Sequence, residues 1–256
     1  MKQKLSIFLP VLGIATFALL LAQINSCTAP RVPVQYPFDT LYSNTDKNGH
    51  ALALEFKRGK EHNHPLMAIW VTDTSGNYIE TLFIAESIGK GYFDRADKST
   101  GKWLEGFIRR PAALPVWAHS RNVQEADGLY IPTPETAMPD AITGATPPNN
   151  FVLFAKTSDK SLTVFDVYFE INQTWDWNEY WTNNKFPGDE EYKTSCQPAL
   201  IYKARIDAEN TNRVYKLEIY GRGHHNGSTG EIFYDLETLS TAKQIAESIH
   251  LKVIGR

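Results

Sequence analysis

From His50 onward, apolar and polar positions alternate with the two-residue period of β-strands. In ALALEFK, Leu52, Leu54 and Phe56 fall on one side. The run LMAIWV at 66–71 is more continuously apolar, and YIETLFIA at 78–85 reads as a third strand. Between them TDTSGN carries Gly76, so 66–73 and 77–85 are expected to form a β-hairpin. Patterning returns with FVLFAK at 151–156 and LTVFDVYFEIN at 162–172. There Phe165, Val167, Phe169 and Ile171 make the stronger core face, with Val164, Asp166, Tyr168 and Glu170 opposite. ALIYKARID at 199–207 and RVYKLEIYG at 213–221 read as two further strands in a hairpin across AENTN.

One late stretch carries a helical period. Ala242, Ile245, Ala246 and Ile249 recur at i, i+3, i+4 and i+7 within Ser240–His250, and Thr241 and Gln244 have the spacing of a capping box. LKVI at 251–254 then reads as a last short strand. Two segments lack regular patterning. Residues 86–150 form a long, partly irregular excursion, with room for a short helix in RRPAALPVWAHSR; such excursions are often functional. Residues 173–196 are a polar, aromatic insert. No repeat of fixed period occurs. Seven or eight strands with one late helix predict a mainly β, immunoglobulin-like β-sandwich over 46–256, with inserts at 86–150 and 173–196.

The N-terminus has a different character. Lys2 and Lys4 precede an apolar run from Leu5 to Ala22, broken by Pro10 and Gly13, which reads as an export signal over residues 1–26. A retained membrane span is the alternative, because about 18 apolar residues is near the lower limit for crossing a bilayer. The segment Leu21–Cys27 resembles the lipobox of bacterial lipoproteins: aliphatic Ile24 at minus three, small Ser26 at minus one, then Cys27, with Asn25 a less usual occupant of minus two. That resemblance implies a lipid on Cys27 and a membrane-anchored place in the cell envelope, in the periplasm or at the outer membrane. Three prolines in 28–38 make 27–45 an extended tether. Cys196 is the only other cysteine. With Cys27 lipidated it reads as a small buried hydrophobe; a disulfide between the two is the alternative.

Composition narrows the field. The chain has 256 residues, 42% apolar and 21% charged, as a packed globular protein does. A net charge of −3 leaves no basic excess for nucleic acid. There is no glycine-rich phosphate loop after a strand, no nucleophile elbow, no HExxH and no paired CxxC, so hydrolase, kinase and dehydrogenase chemistry have no positive support.

The segment with the most specific chemistry is Asp140-Ala141-Ile142-Thr143-Gly144-Ala145-Thr146. As residues it reads as a turn before Pro147 and Pro148, with Gly144 permitting positive φ and Thr146 held extended before proline. It also resembles the flavinylation sequence of periplasmic flavin-carrying subunits, an Asp followed by Ser/Thr-Gly-Ala-Ser/Thr. The resemblance implies that a Mg²⁺-dependent flavin transferase joins FMN, taken from FAD, to Thr146. Thr143, Gly144 and Ala145 would enter the transferase and Asp140 would be the recognition acid. The residue types suit that chemistry: a hydroxyl must attack phosphorus, and its neighbours must be small. Through MAIWVTDTSGNYIETLFIA, LPVWAHSR and DAITGATPP, the chain resembles the periplasmic family named domain of unknown function 2271 over about residues 50–170. Its members resemble components of flavin-transferase-associated redox systems, which implies a membrane redox partner.

Two functions follow as expectations. One is a lipid-anchored redox carrier with covalent FMN. The other is a non-catalytic module binding an envelope protein or glycan, with Trp175 and Trp177 of TWDWNEYW as an aromatic platform or as rings folded over the sandwich. Trp70, Trp103 and Trp117 suit either a flavin ring or the core. His62 and His64 have i, i+2 spacing but no third ligand, and read as a solvated loop. His224 and His225 lie in a glycine-rich loop; Asp189, Glu190 and Glu191 read as a solvated turn; Arg109 and Arg110 read as a phosphate holder or a surface pair.

Overall fold

The computed structural model describes residues 35–97 and 104–255. Among these, strands build two principal sheets. The five-stranded sheet has the order β1 (Phe38–Ser43), β8 (Asn150–Lys156), β2 (Ala51–Arg58), β13 (Ala246–Gly255), β11 (Val214–Lys216). The six-stranded sheet runs β12 (Glu218–Arg222), β10 (Leu200–Asp207), β9 (Val164–Asn172), β3 (Leu66–Thr72), β4 (Tyr78–Ala85), β7 (Thr143–Gly144). A separate ribbon pairs β5 (Tyr92–Asp97) with β6 (Leu104–Phe107). Phe56 of the first sheet stacks on Phe151 at 4.9 Å and on Phe169 of the second sheet at 5.7 Å. The inner residues of β9, Phe165, Val167, Phe169 and Ile171, are all buried in this shared core. The mainly β sandwich anticipated from the sequence is therefore observed, as two packed sheets.

The six-stranded sheet is covered on its other face as well. Trp70 and Ile84 pack there with Leu114 and Trp117, in and beside the short helix α2 (Pro115–Ser120), and with Ile131 and Ile142. Another short helix, α1 (Glu86–Lys90), continues from β4 and buries Ile88. The described part of the excursion ahead of Thr143 thus supplies a third layer. Its presence explains why LMAIWV is continuously apolar: Met67, Ile69 and Val71 face the other sheet, while Leu66, Ala68 and Trp70 face the layer. Glu170 of β9 also faces the layer and is fully buried. Its carboxylate accepts the backbone N–H of Val116 at 3.1 Å and of Trp117 at 2.7 Å. Burial pushes its pKa up to about 8 against these two bonds.

The hairpin expected at 66–85 forms, with Asp73 accepting the N–H groups of Ser75 and Asn77 around Gly76 at φ 91°. Three other expectations are corrected. Ser240–His250 is not a helix: a 3₁₀ turn at Ala242–Gln244 leads directly into β13, which absorbs LKVI. Ile249, Leu251 and Val253 alternate inward opposite Phe56, Leu54 and Leu52, so pairing with β2 overrides the local helical spacing. Thr241 caps nothing; its hydroxyl donates to Asp176. Next, 199–207 and 213–221 are not a simple hairpin. Val214–Lys216 pairs with β13 in one sheet and Glu218–Arg222 with β10 in the other, the chain crossing at buried Leu217. Last, Phe38–Ser43, expected to lie within a tether, is strand β1, which runs parallel to β8. That partner lies more than a hundred residues away, where local pattern carries no trace of it.

Candidate functional site

The segment Asp140–Thr146 closes the edge of the six-stranded sheet. Asp140–Ile142 form a single 3₁₀ turn anchored by buried Ile142. Thr143 and Gly144 then pair in parallel with Ile84 and Ala85 as the outermost strand. Gly144 is extended there and not at a positive φ, which corrects the turn expected for it. Its missing side chain has a steric reason: a Cβ would stand 3.0 Å from Cε2 of Phe83. Asp140 is 89% exposed and binds Lys90 at 2.9 Å, while Glu86 holds the same ammonium at 2.8 Å. The bonds to Asp140 and Glu86 push Lys90 up to about 12 and hold Asp140 below the usual carboxylate range. Ala145 is exposed and Thr146 half-buried ahead of buried Pro147. Among the described residues, no hydrogen bond engages the Thr146 hydroxyl.

Thr146 lines a surface cleft of about 890 Å³ together with Lys90, Tyr92, Phe107, Arg110 and Trp175. Both irregular segments meet here: Trp175 comes from the insert at 173–196 and the others from the excursion at 86–150. The ribbon places Tyr92 edge-on to Phe107 at 5.4 Å. Arg110 lies over Phe93 at 4.7 Å from the ring centre. Its Nε is buried without a hydrogen-bond partner among the described residues. Burial pushes the guanidinium below its ordinary value, with Glu191 pulling the other way. An aromatic cleft with a cation and a nearby hydroxyl can receive a planar, polar-edged ligand and hold it covalently.

The remaining candidates sort cleanly. Trp70 and Trp117 are core; Trp103, Cys27 and the signal over 1–26 lie outside the described residues. Cys196 is buried, and burial with the nearby Asp176 charge pushes its thiol up to about 11, so it is a packing residue. His62 is buried against Phe56, and burial with the Arg58 charge lowers it to about 4. No group of three metal-ligating side chains occurs among the described residues. His225 stacks on Phe186 at 4.1 Å, Asp189 caps the helix α3 (Glu190–Ser195) through the Tyr192 N–H, and Arg109 pairs with Asp127. In the Trp-rich insert Trp181 is buried, whereas Trp175 and Trp177 are 54% and 53% exposed. Sequence reasoning missed Tyr92, Phe107 and Lys90; the signal available was a set of large aromatic side chains in a glycine-punctuated stretch with no alternating partner.

The fold and site define a class: a β-sandwich whose two inserts build an aromatic, cation-lined cleft beside a slim, hydroxyl-bearing sheet edge. Compared with protein-family models, curated proteins and solved structures, the chain gives no match. Among the described residues no helix is long and apolar enough to cross a membrane.

Proposed function

We propose that this protein is a lipid-anchored redox carrier of the cell envelope, related to the domain of unknown function 2271 family, with FMN joined to Thr146 by a phosphoester. The observation that carries the reading is the setting of Thr146: a hydroxyl with no bond among the described residues, in an edge segment kept slim by Gly144 and Ala145, on the wall of an aromatic cleft. In the attachment step the Thr146 oxygen attacks the phosphorus of the FMN half of FAD. The P–O bond to the adenylate half breaks, AMP leaves, and the hydroxyl proton passes to the transferase or to water. Asp140, almost wholly exposed, is available for recognition. Once bound, FMN supplies one- or two-electron transfer, while the chain supplies position and charge. A lipid on Cys27 would keep the carrier near a membrane donor.

The test is intact mass of the chain made beside a flavin transferase and FAD. A gain equal to one FMN less water is expected, lost completely in Thr146→Ala with an unchanged far-UV spectrum. An unmodified wild-type chain overturns the reading. A second reading, a non-catalytic module gripping a glycan or envelope protein, is favoured by one observation. Trp175 and Trp177 stand exposed around a cleft with Asn183, Asn184 and Lys193. It predicts a colourless protein whose partner binding falls when both tryptophans become Ala.

A further inference from the structure

Among the described residues, charge matching around the cleft leaves Arg110 without an ion pair, Glu191 acting on it only at longer range. Lys90 is held by Glu86 and Asp140, and Arg109 by Asp127. Arg110 has no carboxylate within 4 Å among the described residues, its Nε is without a partner there, and it rests on Phe93 at the cleft wall. A guanidinium remains protonated at physiological pH, so its field points at whatever fills the space. Apolar surface is also exposed there. Phe107 is 71% exposed and Trp175 54% exposed on the same cleft. Trp175 is further held at φ 58°, a left-handed conformation that a tryptophan adopts only when its surroundings impose it. Its N–H donates to Thr194 O at 3.0 Å, and its own carbonyl accepts from Trp177 N–H at 3.0 Å, which fixes the backbone on both sides.

We infer that the cleft is the seat of the flavin ring itself, with Trp175 and Phe107 as aromatic walls and Arg110 as the counter-charge for its carbonyl-bearing edge. This rests on the flavin reading of Thr146, whose phosphoester would tether the ring beside the cleft that Thr146 lines. Aromatic side chains match a planar heterocycle in shape and polarisability. A positive charge next to the ring favours electron uptake, because reduction adds negative charge there. Arg110 is thus a positioning and tuning residue, and Trp175 a ring-contacting one.

Two preparations separate the seat from the attachment. Unmodified chain is titrated with free FMN while tryptophan emission is followed. Saturable quenching is expected, weakened at least tenfold in Trp175→Ala and in Arg110→Met, which keeps a stem over Phe93 and removes the charge. Arg110→Lys should restore part of the affinity. Trp177→Ala, exposed but lining a different cleft, should match wild type. Flavinylated chain should show dim flavin emission that recovers several-fold in Trp175→Ala, and a midpoint potential that turns more negative in Arg110→Met. Added FMN mass with bright flavin and no effect of either variant overturns the seat and leaves the attachment. No added mass, with saturable FMN binding sensitive to both variants, overturns the attachment and leaves the seat. Neither mass nor binding overturns both.

Discussion

The two faces of the six-stranded sheet are both buried, by different means. On the inner face Phe169 meets Phe56 of the opposing sheet at 5.7 Å, ring on ring. One residue further along the same strand, Glu170 is just as buried but faces short helices and coil. There burial must be matched bond by bond: Glu170 to the N–H groups of Val116 and Trp117, and the Trp117 indole N–H to Thr81 Oγ1 at 2.9 Å. Sheet against sheet solves the problem by shape, because each strand's backbone is satisfied by its neighbours. An irregular layer has no such ladder, so polar groups must find individual partners. The same irregularity leaves clefts and edges, and the candidate site lies there and not between the sheets.

The comparison can be broken at several points. Phe169→Ala should cost about 3–5 kcal/mol, since it empties the centre of the inner core. Urea denaturation of the unmodified chain measures it, and a loss under 1 kcal/mol would mean that the sheets do not share one core. Glu170 should give the next effect, through pH. Its folded value of about 8 lies above its ordinary 4.5, so folding favours the protonated form. The stabilisation is complete below about pH 4.5 and is lost as pH rises through about 8. Glu170→Gln lacks that titration. Wild type should therefore lose on the order of a few kcal/mol relative to the variant between pH 5 and 9. Parallel profiles would show that the layer does not desolvate this carboxyl.

Gly144→Ala probes the sheet edge. The new methyl must displace Phe83, at a cost of about 1–2 kcal/mol by thermal melting. The FMN attachment proposed for Thr146 should slow as the slim segment thickens; an unchanged rate argues that no modifying enzyme closes over Gly144. Trp177→Ala is the smallest, within about 0.5 kcal/mol, because an exposed side chain loses little packing. A larger loss would mean that the insert's outer rings hold the fold together.

Strand identity was legible wherever one face of a strand met another sheet. The core face expected at Phe165, Val167, Phe169 and Ile171 is the buried one, and the alternating Leu52, Leu54 and Phe56 lie in the same core. Reading failed where two periods fit the same residues: Ala242, Ile245, Ala246 and Ile249 suit a helix, but Ile249, Leu251 and Val253 suit a strand, and β2 offered hydrogen bonds that a helix could not use. Of the candidate site, the motif at 140–146 and the guanidinium of Arg110 were visible as residues. Their common cleft was not, because Trp175 reaches it from a segment some thirty residues further along the chain.

Taken alone, the sequence determined the class of element and the inward face of each long strand, because both follow from the side-chain period of a pleated backbone. It also placed a hydroxyl at Thr146 beside the small residues Gly144 and Ala145, since residue identities are local facts. Only the tertiary structure decided that part of the excursion supplies a third layer, that β1 and β13 join the first sheet, and that two inserts meet to wall one cleft. Those outcomes depend on contacts between distant segments, whose energies no local window of residues contains.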